Sequence, residues 1–66
     1  MIWVRVNGAY QLKEHEHGAM LAVITPNAQV AKFDVCYFDG SWVEDIEFRT
    51  LKEAKAWTQA VVILNQ

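Results

Sequence analysis

A single cysteine, Cys36, in a chain of 66 residues excludes an internal disulfide, and its neighbours Val35, Tyr37 and Phe38 mark it as a small packed hydrophobe in a strand. One proline and three glycines are too few for a disordered or repetitive chain. No apolar run approaches the roughly 18 residues of a membrane span, and Met1-Ile2-Trp3-Val4-Arg5 lacks the apolar core and small-residue cleavage site of a secretory leader. The expectation is therefore a cytoplasmic protein with no membrane partner. Basic residues are also scarce, six against eight acidic, for a net charge of -2. That deficit argues against a module that binds nucleic acid by neutralising phosphates.

Catalytic signatures are missing as well. There is no Gly-x-Ser-x-Gly elbow, no phosphate loop and no His-Glu-x-x-His helix, so neither an enzyme nor a cofactor is expected. His15 and His17 have the spacing of two ligands on one strand face, but a structural zinc takes four ligands and a catalytic one three. With no third histidine and the one cysteine in an apolar strand, no metal site is expected, and 13–18 reads as a solvated hairpin end.

What is present is ample core material: 53% hydrophobic residues, with three Trp, three Phe and two Tyr. Thr50-Leu51-Lys52-Glu53 is a capping box, in which the Thr50 hydroxyl accepts from the Glu53 N–H and the Glu53 carboxylate reaches back to the Thr50 N–H. Beyond it, Leu51, Ala54, Trp57, Thr58, Val61 and Leu64 form an apolar helical stripe, with Lys52, Lys55, Gln59 and Gln66 opposite.

The preceding residues read as strands. Ile2 to Val6 is β-branched and aromatic, and Asn7-Gly8 suits a type I′ turn that sets Val6 against Ala9, Arg5 against Tyr10 and Trp3 against Leu12. Ala19 to Thr25 is an apolar run ended by a turn at Pro26-Asn27, and Gln29 to Phe38 alternates in polarity. A two-residue turn at Asp39-Gly40 would pair Tyr37 with Trp42, Phe33 with Ile46 and Ala31 with Phe48, placing these on the helix side, and would set Asp34 against Asp45 on the other. The expected architecture is α+β: one domain over 1–66, an antiparallel meander of four or five strands with the C-terminal helix on one face.

Charge is unevenly placed. Residues 34 to 48 carry Asp34, Asp39, Glu44, Asp45 and Glu47 and no Lys or Arg, whereas the segments on either side are net positive. These five carboxylates are the candidate partner-binding residues, an anionic surface suited to a basic protein groove that otherwise holds nucleic-acid phosphates. Two other readings stand beside this one. The first is a nucleic-acid module using Trp3, Arg5, Tyr10, Lys13 and the helix lysines. The second is a homodimer with a structural or assembly role, motivated by Ile63 and the apolar tail 61–64.

Tyr37-Phe38-Asp39-Gly40-Ser41-Trp42, followed by Phe48-Arg49-Thr50-Leu51-Lys52-Glu53-Ala54-Lys55-Ala56-Trp57, resembles the C-terminal half of small phage and prophage proteins, some of them anti-CRISPR inhibitors. The resemblance implies a phage-encoded inhibitor acting in a bacterial cytoplasm. Its implied partner is a host defence protein with a basic nucleic-acid-binding surface, such as a Cas protein, whose nucleic acid it would exclude.

Overall fold

The computed structural model describes residues 1–64, the side chains of Glu44 and Asp45 excepted; Gln66, expected on the helix's polar side, lies outside the described residues. The elements are β1 (Ile2–Val6), β2 (Ala9–Lys13), β3 (Met20–Asn27), β4 (Lys32–Phe38), β5 (Trp42–Phe48) and α1 (Leu51–Leu64). The strands form one sheet in the order β1-β2-β3-β4-β5, each antiparallel to its neighbour, with α1 against one face. This is the expected α+β meander.

The first hairpin follows its turn chemistry. Asn7 and Gly8 have φ of 51° and 82°, as a type I′ turn requires, and the ladder pairs Val6 with Ala9, Arg5 with Tyr10 and Trp3 with Leu12. The next connection departs from expectation. β2 stops at Lys13, the Gly18 N–H donates to the His15 carbonyl at 2.9 Å, and Lys13 Nζ donates to the Glu16 carbonyl at 3.0 Å. His15 and His17 therefore sit in a turn and do not share a strand face.

Pro26 belongs to β3 and does not open the turn. Pairing with β2 ends at Tyr10 opposite Ile24, so Pro26 lies beyond that ladder, where its missing N–H costs β2 no bond. The turn moves to 28–31. Asn27 Oδ1 accepts from the Gln29 N–H at 3.2 Å, and Ala31 closes the turn with a φ of 53°. Ala31 is thereby removed from the strand, and Phe48 pairs with Phe33 instead.

The β4–β5 turn is one residue longer than expected. Asp39-Gly40-Ser41 separates Phe38 from Trp42, which pair with each other, while Tyr37 pairs with Val43. The register then shifts between Val35 and Tyr37, so that Val35 faces Ile46 and Asp34 faces Glu47. Two expectations are overturned: Trp42 lies on the face away from the helix, and Asp34 opposes Glu47, not Asp45.

The cap of α1 forms with a change of partner. The Glu53 N–H donates to Thr50 Oγ1 at 3.1 Å, but the Thr50 hydroxyl, not its backbone N–H, donates to Glu53 Oε1 at 3.1 Å. Ala54, Thr58 and Val62, four residues apart, form the buried spine of the helix. Leu64 is 81% exposed and lies outside that face. On the other flank Lys55 is half-buried, its Nζ 5.5 Å from the Trp3 ring centre and 5.1 Å from that of Tyr10. Trp3 Nε1 donates to Gln59 Oε1 at 3.4 Å. The sheet thus wraps far enough for the first hairpin to meet the side of the helix that polarity alone assigns to water.

The core lies between helix and sheet. Leu12, Ala22 and Val62 form one buried cluster, and Ile24, Val35 and Ala54 a second, with Trp3 and Tyr37 packed against both. Six buried apolar side chains among the described residues are a small core, consistent with a thin stability margin for a chain of this size.

Candidate binding surface

Strand alternation assigns Phe33, Val35 and Tyr37 to the helix side and Lys32, Asp34, Cys36 and Phe38 to the open face. On β5 the ladder adds Glu47, opposite Asp34, and Trp42, opposite Phe38. The open face of this hairpin therefore carries a strip with carboxylates at one end and two aromatic rings at the other. Asp34 and Phe38 are four residues apart on β4, about 13 Å in an extended strand.

At the acidic end Asp34 is half-buried and Glu47 exposed, a like-charge pair directly opposed across the ladder. Lys32 Nζ lies 3.4 Å from Glu47 Oε2 and offsets one of the two charges. Asp39 stands exposed at the turn, where its backbone N–H donates to the Ser41 carbonyl at 2.9 Å. The structure thus gathers Asp34 and Glu47 and sets Asp39 at the far end of the strip. Glu44 and Asp45, the remaining candidates, have side chains outside the described residues.

The aromatic end was not expected on this face. Phe38 and Trp42 are 48% and 44% exposed, and their rings meet edge to face with centroids 5.6 Å apart. They meet because three residues, Asp39 to Ser41, separate them and pair the two aromatics across the turn, a length that the Asp-Gly dipeptide does not signal. Large rings bordered by charge are the composition of binding hot spots, where an aromatic anchor is desolvated and polar groups surround it. Cys36 lies between the two ends and is half-buried.

Among the described residues no group of three His, Cys, Asp or Glu side chains gathers to hold a metal. An apolar hollow of about 260 Å³ is lined by Pro26, Asn27, Ala28, Ala31, Lys32 and Phe33, and Lys32 is its one ionisable side chain among those residues.

The residues of the nucleic-acid reading come together only in part. Arg5 Cζ lies 5.6 Å from the Tyr10 ring centre, and Lys55 lies near both Tyr10 and Trp3. Lys13 is on the opposite face of the sheet, since it pairs with Ile2 one step out of phase with Trp3 and Leu12. Among the described residues no helix is long and apolar enough to cross a membrane. Comparison with protein-family models, curated proteins and solved structures returns no match.

Proposed function

We propose that this chain is a binding protein, not an enzyme, whose β4–β5 strip engages the basic phosphate-binding groove of another protein and excludes nucleic acid from it. In its specific form it is a phage-encoded inhibitor of the anti-CRISPR type, and its partner is a host CRISPR–Cas protein in the bacterial cytoplasm. The observation that carries the reading is Asp34 facing Glu47 on an open sheet face that ends in exposed Phe38 and Trp42. Directly opposed carboxylates cost a folded chain about 0.2–1 kcal/mol. A partner's Lys or Arg turns that cost into charge complementarity, which speeds encounter and fixes orientation. The rings supply the apolar anchor that charge alone lacks. The resemblance of residues 37–57 to small phage inhibitors supplies the biological setting.

The test is phage plaquing on a bacterium whose CRISPR–Cas system restricts that phage. The parent chain is expected to restore plaquing, and a doubly reversed variant, Asp39→Lys with Glu47→Lys, to fail while keeping the parent's circular dichroism spectrum. Plaquing no better than with empty vector, across the effector classes tried, overturns the inhibitor assignment. Equal rescue by parent and variant overturns the acidic surface.

A second reading, direct binding of single-stranded nucleic acid, is favoured by the convergence of Trp3, Arg5, Tyr10 and Lys55. Base stacking needs a free ring face, however, and Tyr10 already has two of the chain's own cations near its ring. A salt-dependent mobility shift with single-stranded DNA or RNA would favour this reading over the first.

A further inference from the structure

The two outer strands of the sheet are guarded very differently. β5 carries three carboxylates in seven residues and a register shift against β4, both of which discourage pairing with another strand. β1 has neither: Ile2–Val6 contains no proline, lysine or acidic residue, and its register with β2 is unbroken. Its backbone is therefore a ready template on its outer side.

Which groups face outward follows from the turn. The two-residue turn closes Val6 on Ala9, and bonded pairs alternate along an antiparallel ladder, so Val6, Val4 and Ile2 direct their N–H and C=O groups to β2. Trp3 and Arg5 direct theirs away from it. Side chains alternate in the other sense, with Trp3 and Arg5 on the helix side and Ile2, Val4 and Val6 on the open face.

We propose that β1 pairs antiparallel with β1 of a second copy about a two-fold axis at Val4, joining two five-stranded sheets into one of ten. This register matches the whole of Ile2–Val6 to itself without overhang. Trp3 of one copy then stands opposite Arg5 of the other, and every outward N–H and C=O of these residues finds a partner. On the open face Val4 meets Val4 and Ile2 meets Val6, covering two side chains that are 39% and 38% exposed in the single chain. On the helix side Arg5 lies beside the indole of the second copy, a cation–π arrangement. Centring on Arg5 instead would set two guanidinium groups against each other and run the strand into Asn7, whose positive φ ends it. The pairing leaves both β4–β5 strips at the far ends of the joined sheet, and it does not depend on what those strips bind.

The test uses the full chain. Light scattering is expected to give twice the chain mass for the parent and the single chain mass for Val4→Lys, which opposes two ammonium groups at the axis, with circular dichroism unchanged. Register is read by cross-linking in a Cys36→Ala background. Opposed residues that are not hydrogen-bonded to each other have Cα atoms about 4.5 Å apart, within disulfide range, so Val4→Cys should oxidise to a covalent dimer. Ile2→Cys should not, because the two Ile2 positions are four residues out of register, about 13 Å. A parent of single-chain mass overturns the proposal. So does a Val4→Lys dimer, which would move the contact to another surface such as the exposed Ile63 and Leu64, or an Ile2→Cys chain that cross-links as readily as Val4→Cys.

Discussion

Asp34 stands directly opposite Glu47 in the β4–β5 ladder, and the cation that offsets them, Lys32, reaches Glu47 on a diagonal at 3.4 Å. Both ends of that ion pair are substantially exposed, so its contribution to stability is small, below about 1 kcal/mol. Its contribution to the local field is larger, because it places a positive group directly against this acidic end. Lys32→Gln should therefore leave the thermal midpoint nearly unchanged and tighten association with oligolysine, more so at low salt than at high. Titration at two ionic strengths measures this. No change in oligolysine affinity would mean that Asp34 and Glu47 do not act together on a cation.

Thr58 is the one polar side chain in the buried spine of α1, and its Oγ1 has no hydrogen-bond partner among the described residues. A buried hydroxyl without a partner costs about 1–3 kcal/mol, and valine has nearly the same shape without the polar atom. Thr58→Val should raise stability by about 1 kcal/mol in a denaturant titration. A lowered midpoint would show that the hydroxyl is satisfied, for example by bonding back to the carbonyl of Ala54.

Ala31 holds a φ of 53° at the end of the β3–β4 turn, in a region that an L side chain enters at a cost of about 1–2 kcal/mol. Glycine removes that cost but loosens the unfolded chain, which returns part of the gain. Ala31→Gly should stabilise by about 0.5–1 kcal/mol. A destabilised variant would mean that the turn relaxes in solution to a conformation in which alanine is unstrained.

The two hairpin turns show where the sequence could be read and where it could not. Asn7-Gly8 supplies two residues that both tolerate positive φ, and that pair specifies turn length, register and the facing of every residue in β1 and β2. Asp39-Gly40 looks alike on paper, but of its two residues only Gly40 has a positive φ, at 72°, and Ser41 joins the loop. One added residue reverses the face of whatever follows, until the shift between Val35 and Tyr37 restores it. A two-residue turn therefore puts Trp42 on the wrong face, while it sets Ile46 and Phe48 toward the helix, where they pack. The carboxylates were visible as composition, but the exposed rings beside them were hidden behind a turn length that the dipeptide does not encode. The helix face was missed by a smaller margin. Polarity assigns Lys55 and Gln59 to water, and Gln59 is exposed, yet the lysine stem is apolar enough to lie under the first hairpin with its charge against two rings.

Trp57 links the helix to the outer half of the sheet. Its ring meets Tyr37 edge to face at 5.7 Å and Phe48 at 5.4 Å with the planes tilted, so it bridges β4 and β5 from above. The buried spine of Ala54, Thr58 and Val62 sits over the inner strands and supplies little side-chain volume of its own. Aromatic packing through Trp57 then ties α1 to the hairpin that carries the proposed binding strip, beside the contacts of Leu51 and Ala54 in the same cluster. Trp57→Ala removes two ring contacts and opens space between helix and sheet, at a cost of about 3 kcal/mol, the low end for buried aromatics because this side chain is half-buried. Trp57→Phe keeps a ring against Tyr37 and Phe48 and should cost about half as much or less. The order parent, Phe, Ala in thermal midpoint is the expected result. An alanine variant that melts with the parent would mean that α1 is held by its spine alone.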